Sequence, residues 1–213
     1  RPAPEHRNRR AGNNAYLEPM SREIVFDIET YGNIRDTANM KVTVVSVYEY
    51  ETDSYRSFGE AELARLWPMF ERAERLIGFN SEHFDLPILN RQYAGDLSRI
   101  PHLDLLKVVK EVSGSRYKLN DLAKATLQIE KSADGLQAMR WYEEGKIDLI
   151  KQYCEQDVRV TKELYEYGRK NRMIYYPSIT GELVPIAVNF DPSVNVNGAE
   201  KAGSAGMNLT LPF

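Results

Sequence analysis

The chain has 213 residues, of which 42% are hydrophobic and 28% are charged, a composition typical of an ordinary globular protein with one main core. Its single cysteine, Cys154, excludes an internal disulfide, so nothing requires an oxidising compartment. No apolar run approaches the roughly 18 residues of a membrane span and no apolar leader opens the chain, so we expect a cytoplasmic protein without membrane contact. The net charge of −3 does not indicate a nucleic-acid-binding protein, so any affinity for phosphate must come from a local patch.

The two ends of the chain differ in composition from its middle. Residues 1–19 are polar and basic and contain proline, which predicts a disordered N-terminal extension. Residues 20–172 are predicted to form the main domain, followed by a C-terminal hairpin over residues 173–190. Residues 191–213 begin with a stretch rich in Gly, Ala, Ser and Asn, which predicts a flexible tail.

Hydrophobic patterns predict three strands in succession, and then strands and helices in alternation. This order predicts an α/β fold with a mixed five-stranded sheet and helices on both faces. The predicted strands cover about 23–27, 41–50, 54–58, 76–79 and 100–103. The predicted helices cover about 60–73, with a kink at Pro68, and about 84–93, 104–112, 122–127, 139–142 and 146–171.

Two carboxylates stand at the end of the first predicted strand, in the order Phe26-Asp27-Ile28-Glu29-Thr30. Side chains two apart on a strand project to the same side, so Asp27 and Glu29 lean together. Open sheets bind their ligands at such strand ends. Two anions this close repel each other unless a cation joins them, and carboxylate oxygens favour Mg²⁺ or Mn²⁺. A solvated turn that carries two acids is the alternative.

Two further segments carry a carboxylate where helices are predicted. Asp85 lies just inside a helix, where capping of backbone amides would also explain it. Tyr153 and Asp157 are four residues apart on the long helix, beside a buried stripe that includes Cys154. A buried carboxylate is costly without a cation or a hydrogen-bond partner, and a neighbouring tyrosine can position a water molecule or take its proton. We interpret Asp104 as a helix cap.

The order of these motifs, Asp-x-Glu, Asn-x-x-x-x-Asp and Tyr-x-x-x-Asp, resembles that of the DEDD exonucleases in their tyrosine version. These are 3′–5′ exonucleases of the ribonuclease-H-like (DnaQ-like) superfamily. The first two motifs look similar to those of family B DNA polymerase proofreading domains and their stand-alone prokaryotic relatives. The resemblance covers about residues 22–170 and implies a ribonuclease-H-like three-layer fold.

The resemblance also implies a catalytic role for five residues and two divalent cations, Mg²⁺ or Mn²⁺, as cofactors. Asp27 would bridge both cations, and Glu29 and Asp157 would complete the first cation site. Asp85 would hold the second cation, and Tyr153 would orient the attacking water. The implied product is a nucleoside 5′-monophosphate.

Six residues around these motifs are predicted to bind substrate. The resemblance implies that Asn80 and Phe84 support the scissile nucleotide. Tyr31 and Ile34 follow the first motif, where they could wedge between terminal bases. A basic loop with an aromatic residue, over 113–118, could grip a single strand by charge and stacking, with a solvated loop as the alternative. The six residues are Thr30, Tyr31, Asn80, Phe84, Arg116 and Lys118.

The end of the chain carries a candidate partner-binding motif. Leu209, Leu211 and Phe213 are apolar, terminal and preceded by the predicted linker. They resemble the hexapeptide with which bacterial replication proteins bind the sliding clamp, although Asn208 stands where that motif usually has Gln. A frayed end is the alternative. Tethering would raise the effective concentration of the chain at DNA without new catalytic contacts.

Three functions are compatible with these patterns. The first hypothesis is a DNA 3′–5′ exonuclease that acts on single strands or frayed ends. The second is an exoribonuclease with the same site, which would differ by contacts to the 2′-hydroxyl. The third is a non-catalytic nucleic-acid-binding module, which the presence of all four carboxylates disfavours.

Overall fold

A mixed five-stranded sheet forms the centre of the computed structural model, which describes residues 22–129, 135–178 and 180–192. Its strands are β1 (Glu23–Tyr31), β2 (Lys41–Glu49), β3 (Ser54–Gly59), β4 (Arg75–Gly78) and β5 (His102–Asp104). They lie in the order β3-β2-β1-β4-β5. The first three form an antiparallel meander, and β4 and β5 run parallel to β1. This arrangement confirms the predicted α/β fold.

Helices cover both faces of the sheet. Within the described ranges they are α1 (Trp67–Arg72), α2 (Asp85–Asn90), α3 (Leu105–Ser113), α4 (Leu119–Leu127), α5 (Gly135–Glu143) and α6 (Ile147–Asn171). Side chains of β1 alternate between the faces. Ile24, Phe26 and Ile28 pack with residues of α1 and α2, whereas Val25 packs with residues of α3, α4 and α6. Each helix layer therefore has its own apolar core on one side of the sheet.

The predicted kinked helix over 60–73 was wrong. A 3₁₀-helix (Glu60–Arg65) ends before Pro68, and α1 begins at Trp67. Proline has no backbone N–H to donate and its ring clashes with the preceding turn, so it interrupts a helix interior but suits a first turn. Pro68 therefore starts a new helix instead of bending a continuous one.

The C-terminal part of the described chain packs onto α6. β6 (Met173–Pro177) and β7 (Leu183–Ala187) pair antiparallel, and Phe190 beyond them is fully buried. A Cβ atom at Gly168 would lie 2.4 Å from the Phe190 ring, so the close approach requires glycine at this position. The Arg75 guanidinium donates a hydrogen bond to the Phe190 carbonyl at 3.1 Å, which ties this segment to the sheet.

Some sequence-based predictions lie outside the described residues. These are the extension over 1–19, almost all of the tail over 191–213, and the motif residues Leu209, Leu211 and Phe213. Among the helices that the structure describes, none combines the length and the apolar character needed to cross a bilayer.

Candidate active site

The first two candidate carboxylates lie on β1 where this strand loses its regular pairing. β4 pairs with β1 only as far as Val25, and the register with β2 shifts between Glu29 and Thr30. Thr43 is the additional residue of β2 at this bulge, and its hydroxyl donates a hydrogen bond to the Glu29 carbonyl at 3.0 Å. Bulges of this kind re-aim side chains and terminate pairing next to active sites. Asp27 and Glu29 therefore lie in the middle of β1, beyond the point where β4 stops pairing with it, and the prediction that the strand ends at Asp27 was wrong because β2 pairs with β1 as far as Tyr31.

Cys154 of α6 lies directly beside this pair. Ligand atoms of Asp27, Glu29 and Cys154 all lie within 4.8 Å of one another. The Cys154 thiol donates a hydrogen bond to the Asp27 carbonyl at 3.3 Å, and its Sγ is 3.7 Å from Oδ2 of Asp27. Burial raises the pKa of the Cys154 thiol well above its usual value, and the charges of Asp27, Glu29 and Asp157 raise it further, against a hydrogen bond with Ser46. The thiol therefore stays neutral among the carboxylates.

Helix α6 brings the third motif to the same place. Tyr153 and Asp157 are 9% and 8% exposed and lie one turn apart on the helix that packs against β1 and β2. Asp157 follows Cys154 by three residues, so both side chains occupy one side of the helix. The Tyr153 ring meets the Trp141 ring edge to face, with centroids 6.2 Å apart and an interplanar angle of 67°.

Asp85 approaches the end of β1 from α2. It is the first residue of that helix and is 4% exposed. Burial raises the pKa of Asp85 to about 7, with a further contribution from the charge of Asp104, although the backbone amides of Asp85 and Ile28 donate hydrogen bonds that oppose the shift. Ile28 lies between Asp27 and Glu29, so this hydrogen bond joins the second motif to the first. A nearby cation would stabilise the charged form of this carboxyl.

Asp104 holds the loop between β4 and α2. Asn80 has a left-handed backbone with φ 62°, which asparagine adopts more readily than most residues. The amides of Asn80 and Glu82 donate hydrogen bonds to the Asp104 carboxylate at 2.8 and 3.1 Å. The same carboxylate caps α3 through the amides of Leu106 and Lys107. The predicted cap is confirmed, but the pattern of the sequence did not indicate this second role.

The predicted substrate-binding residues have different surroundings. The Arg116 guanidinium donates a hydrogen bond to Oδ1 of Asn80 at 2.5 Å, so the basic loop reaches the second motif. Lys118 is exposed at the N-terminal boundary of α4. Phe84 is half-buried and packs against the core on the α1 and α2 side, and Thr30 is half-buried at the bulge.

Helix α5 forms a wall of the site that was not foreseen. The Tyr31 ring contacts the Tyr142 ring at a tilt of 36°, with centroids 4.9 Å apart, and the Tyr31 hydroxyl donates a hydrogen bond to Glu143 at 3.1 Å. Trp141, the preceding residue, contacts Tyr153. The sequence predicts a short helix here, but its local pattern carries no signal that links it to the first and third motifs.

Comparison with known proteins places these motifs in a family. The family profile described as the RNase H superfamily matches residues 24–168, well over half of the chain. This chain belongs to the RNase H superfamily. The matched region of this superfamily member runs from β1 into α6 and contains all four candidate carboxylates.

A solved structure shares the RNase H superfamily fold described here. The chain is similar to the family B DNA polymerase from the hyperthermophilic archaeon Pyrobaculum calidifontis, with a TM-score of 0.57 and 18% sequence identity. The similarity covers 70% of this chain but 25% of the polymerase chain, and at this identity it shows a common fold alone. No curated protein sequence matches the chain significantly.

The donor set suits the cofactors that RNase H-like nucleases usually use, which are divalent metal ions. Asp27 and Glu29 offer hard oxygen ligands, as Mg²⁺ and Mn²⁺ prefer. Asp85 and Asp157 are two further buried carboxylates, and neither belongs to the group of Asp27, Glu29 and Cys154 whose ligand atoms lie within 4.8 Å of one another. Cys154 is a soft donor, but its thiol is neutral and directed at a backbone carbonyl. The oxygen ligands therefore determine which cations fit.

Proposed function

We propose that the protein is a metal-dependent 3′–5′ exonuclease that hydrolyses phosphodiester bonds in single-stranded DNA or at frayed 3′ ends and releases nucleoside 5′-monophosphates. The observation that carries this proposal is the pair of Asp27 and Glu29 on β1, whose ligand atoms lie within 4.8 Å of each other, with one contact or charge interaction linking each of the other two motifs to the same strand. Asp27 and Glu29 belong to β1, Asp85 accepts a hydrogen bond from the β1 amide of Ile28, and Asp157 shifts the pKa of a thiol that contacts Asp27. A divalent cation would offset the repulsion between Asp27 and Glu29.

The four carboxylates would hold two divalent cations, Mg²⁺ or Mn²⁺, with Asp27 shared between them. Bound cations of this kind lower the pKa of water and stabilise negative charge on attacking and leaving oxygens. Tyr153 would orient the attacking water through its hydroxyl, and the contact of its ring with Trp141 restricts the position of that hydroxyl. Because Tyr153 and Asp157 are nearly buried, few water molecules from bulk solvent can compete for their hydrogen bonds.

The second motif would bind the scissile nucleotide. Asn80 is held in a left-handed conformation by hydrogen bonding to Asp104, so its side chain has a defined position. Arg116 is exposed and lies within hydrogen-bond distance of that side chain, and a guanidinium is well suited to phosphate. Phe84 and Thr30 would support the same nucleotide from the half-buried side of the site.

The proposal is tested with 5′-labelled single-stranded DNA and RNA of matched sequence, incubated with Mg²⁺, Mn²⁺ or a chelator. A ladder that shortens from the 3′ end only when metal is present is the expected result. Asp157→Asn should slow the reaction by more than about 100-fold, since residues that merely orient metal ligands already contribute about 10- to 100-fold. Asp148→Asn is the matched control because Asp148 lies on the same helix but is exposed.

The outcomes separate the three functions. Faster shortening of DNA than of RNA supports the proposal, whereas faster shortening of RNA identifies an exoribonuclease with the same site. If the folded protein binds either strand with metal present but degrades neither, it is a binding module. Equal loss of activity in Asp157→Asn and Asp148→Asn would mean that the third motif has no special part in the reaction.

We also propose that the chain end tethers the enzyme to a sliding clamp. Leu209, Leu211 and Phe213 carry this proposal through their resemblance to the clamp-binding hexapeptide. A pull-down with purified clamp should lose the protein when Phe213 is removed. Unchanged capture after that deletion would reject the tether without affecting the nuclease proposal.

A further inference from the structure

Three consecutive residues of α5 each contact an element of the candidate site. Trp141 contacts the Tyr153 ring, Tyr142 contacts the Tyr31 ring, and Glu143 accepts a hydrogen bond from the Tyr31 hydroxyl. Helix α5 therefore contacts both the C-terminal residue of β1 and the third motif. The contact with β1 lies beside the carboxylates, since Tyr31 follows the first motif by two residues.

The Tyr31–Tyr142 pair has the geometry and the surroundings of a stacking surface. The two rings are 36° apart in orientation, and both side chains are half-buried, so part of each ring remains open. The Lys41 ammonium lies 5.7 Å from the centroid of the Tyr142 ring and 2.8 Å from the Glu60 carboxylate, and the Lys41 side chain is 44% exposed. Two aromatic rings and a partly exposed cation thus adjoin at one place.

This combination suits unpaired nucleic acid. An apolar cluster, in which Trp141, Tyr142 and Ile147 pack against Val44, Ile150 and Cys154, also holds α5. Tyr31 and Lys41 are not part of that cluster. Proteins that bind single strands combine aromatic side chains, on which bases stack, with positive charge along the backbone.

We propose that Tyr31 and Tyr142, with Lys41 beside them, bind an unpaired base and the adjoining phosphate of the strand whose 3′ end enters the metal centre. Tyr31 lies about 7 Å along β1 from Glu29, at about 3.4 Å per residue, so this surface is within reach of a strand held at the carboxylates. The inference rests on the proposed function for its substrate class, and Tyr142 and Lys41 are the residues that it adds to the site.

The test measures the Kd of a 5′-fluorescein-labelled octathymidylate by anisotropy, with Ca²⁺ in place of Mg²⁺ so that binding is measured apart from cleavage. Tyr142→Leu should raise the Kd by about 5- to 150-fold, the range for loss of one base–aromatic stack. Tyr142→Phe keeps the ring and should stay within about twofold of the unaltered protein.

Tyr93→Leu is the matched control. Tyr93 also pairs with an aromatic ring, that of Trp67 at 5.2 Å, and its hydroxyl also donates to a glutamate, Glu71, at 2.7 Å. It packs in the core on the α1 and α2 side of the sheet, so its loss should leave the Kd unchanged. Equal weakening by Tyr93→Leu and Tyr142→Leu would overturn the inference, as would a Tyr142→Leu protein that binds normally.

Lys41→Gln is a second variant that should not disturb folding, since Lys41 is partly exposed and pairs with the exposed Glu60. It should weaken binding and reduce the slope of log affinity against log salt by about 0.7, the value for one contact to a single-stranded phosphate. An unchanged slope overturns the part assigned to Lys41. Failure of the proposed function is seen separately, as absence of metal-dependent shortening by the unaltered protein, whereas failure of this inference leaves that shortening intact.

Discussion

Asp104 provides the sharpest test of how the site is supported, because its carboxylate accepts hydrogen bonds from four backbone amides. Two of them, at Leu106 and Lys107, belong to the first turn of α3, and two, at Asn80 and Glu82, belong to the loop that carries the second motif. Asp104→Ala removes a helix cap, at a cost of about 1 kcal/mol. It also leaves two loop amides without an acceptor. Each costs about 1 kcal/mol, the lower end of the range for an unsatisfied polar group, because these amides are partly exposed. The expected loss of unfolding free energy is therefore about 3 kcal/mol.

Urea denaturation at pH 7 measures this loss, and Asp96→Ala is the matched control. Asp96 caps the short 3₁₀-helix Leu97–Arg99 through Ser98 and holds no other segment, so its replacement should cost no more than about 1 kcal/mol. Asp104→Ala should also lower kcat/KM in the nuclease assay under conditions where the variant is folded, because Asn80 loses its anchor. An Asp104→Ala protein as stable and as active as Asp96→Ala would refute this account of the loop.

Three further perturbations follow from the same contacts. Gly78→Ala would place a Cβ 2.3 Å from the Oγ of the buried Ser81 and should lower the unfolding free energy by about 1–3 kcal/mol through overpacking. Gly59→Ala is the control, because its Cβ would have no neighbour closer than 3.7 Å, and it should be nearly neutral. Thermal melts of the two variants measure the difference. Burial lowers the pKa of His102 from 6.5 to about 4, so the unfolded chain takes up this proton first and the contribution of His102 to the unfolding free energy should fall by about 3 kcal/mol as the pH drops from about 6.5 to 4. The raised pKa of Asp85 acts in the opposite direction over the same range, so the contribution is measured as the difference between the unaltered protein and His102→Gln; a His102→Gln protein with the same pH dependence would contradict this. Cys154→Ala removes the thiol that donates a hydrogen bond to the Asp27 carbonyl. The Mn²⁺ concentration for half-maximal binding, measured by calorimetry, should rise by about 10-fold. An unchanged titration would show that the thiol only fills space.

The fold and the main carboxylates could be predicted because local patterns determine them. The period of two along β1 predicts that Asp27 and Glu29 share a side, and the period of the long helix predicts that Asp157 is buried. The structure agrees, with Ile24, Phe26 and Ile28 in one core and Val25 in the other. The failure at Pro68 is of a different kind. Helix propensity on both sides of a proline is compatible with one bent helix or with two, and only tertiary packing decides between them.

The supporting contacts could not be predicted because they join residues far apart in the chain. Cys154 and Asp27 are separated by 127 positions, and Tyr31 and Glu143 by 112. Such pairs depend on how α5 and α6 are set against β1, to within a fraction of a helical turn. A hydrophobic stripe defines only the buried face of a helix, so it identifies Cys154 as buried without revealing which carbonyl its thiol meets.

The position of Cys154 between α6 and β1 restricts which side chain can stand there. A carboxylate there would add another negative charge to a cluster that already raises the pKa of the thiol through three acidic neighbours. A leucine would remove the hydrogen bond that the Asp27 carbonyl now accepts from the thiol, and a hydrogen bond typically contributes about 0.5–1.5 kcal/mol. Cysteine is small, stays neutral and can donate weakly. It therefore lets α6 approach β1 closely without adding charge beside Asp27 and Glu29.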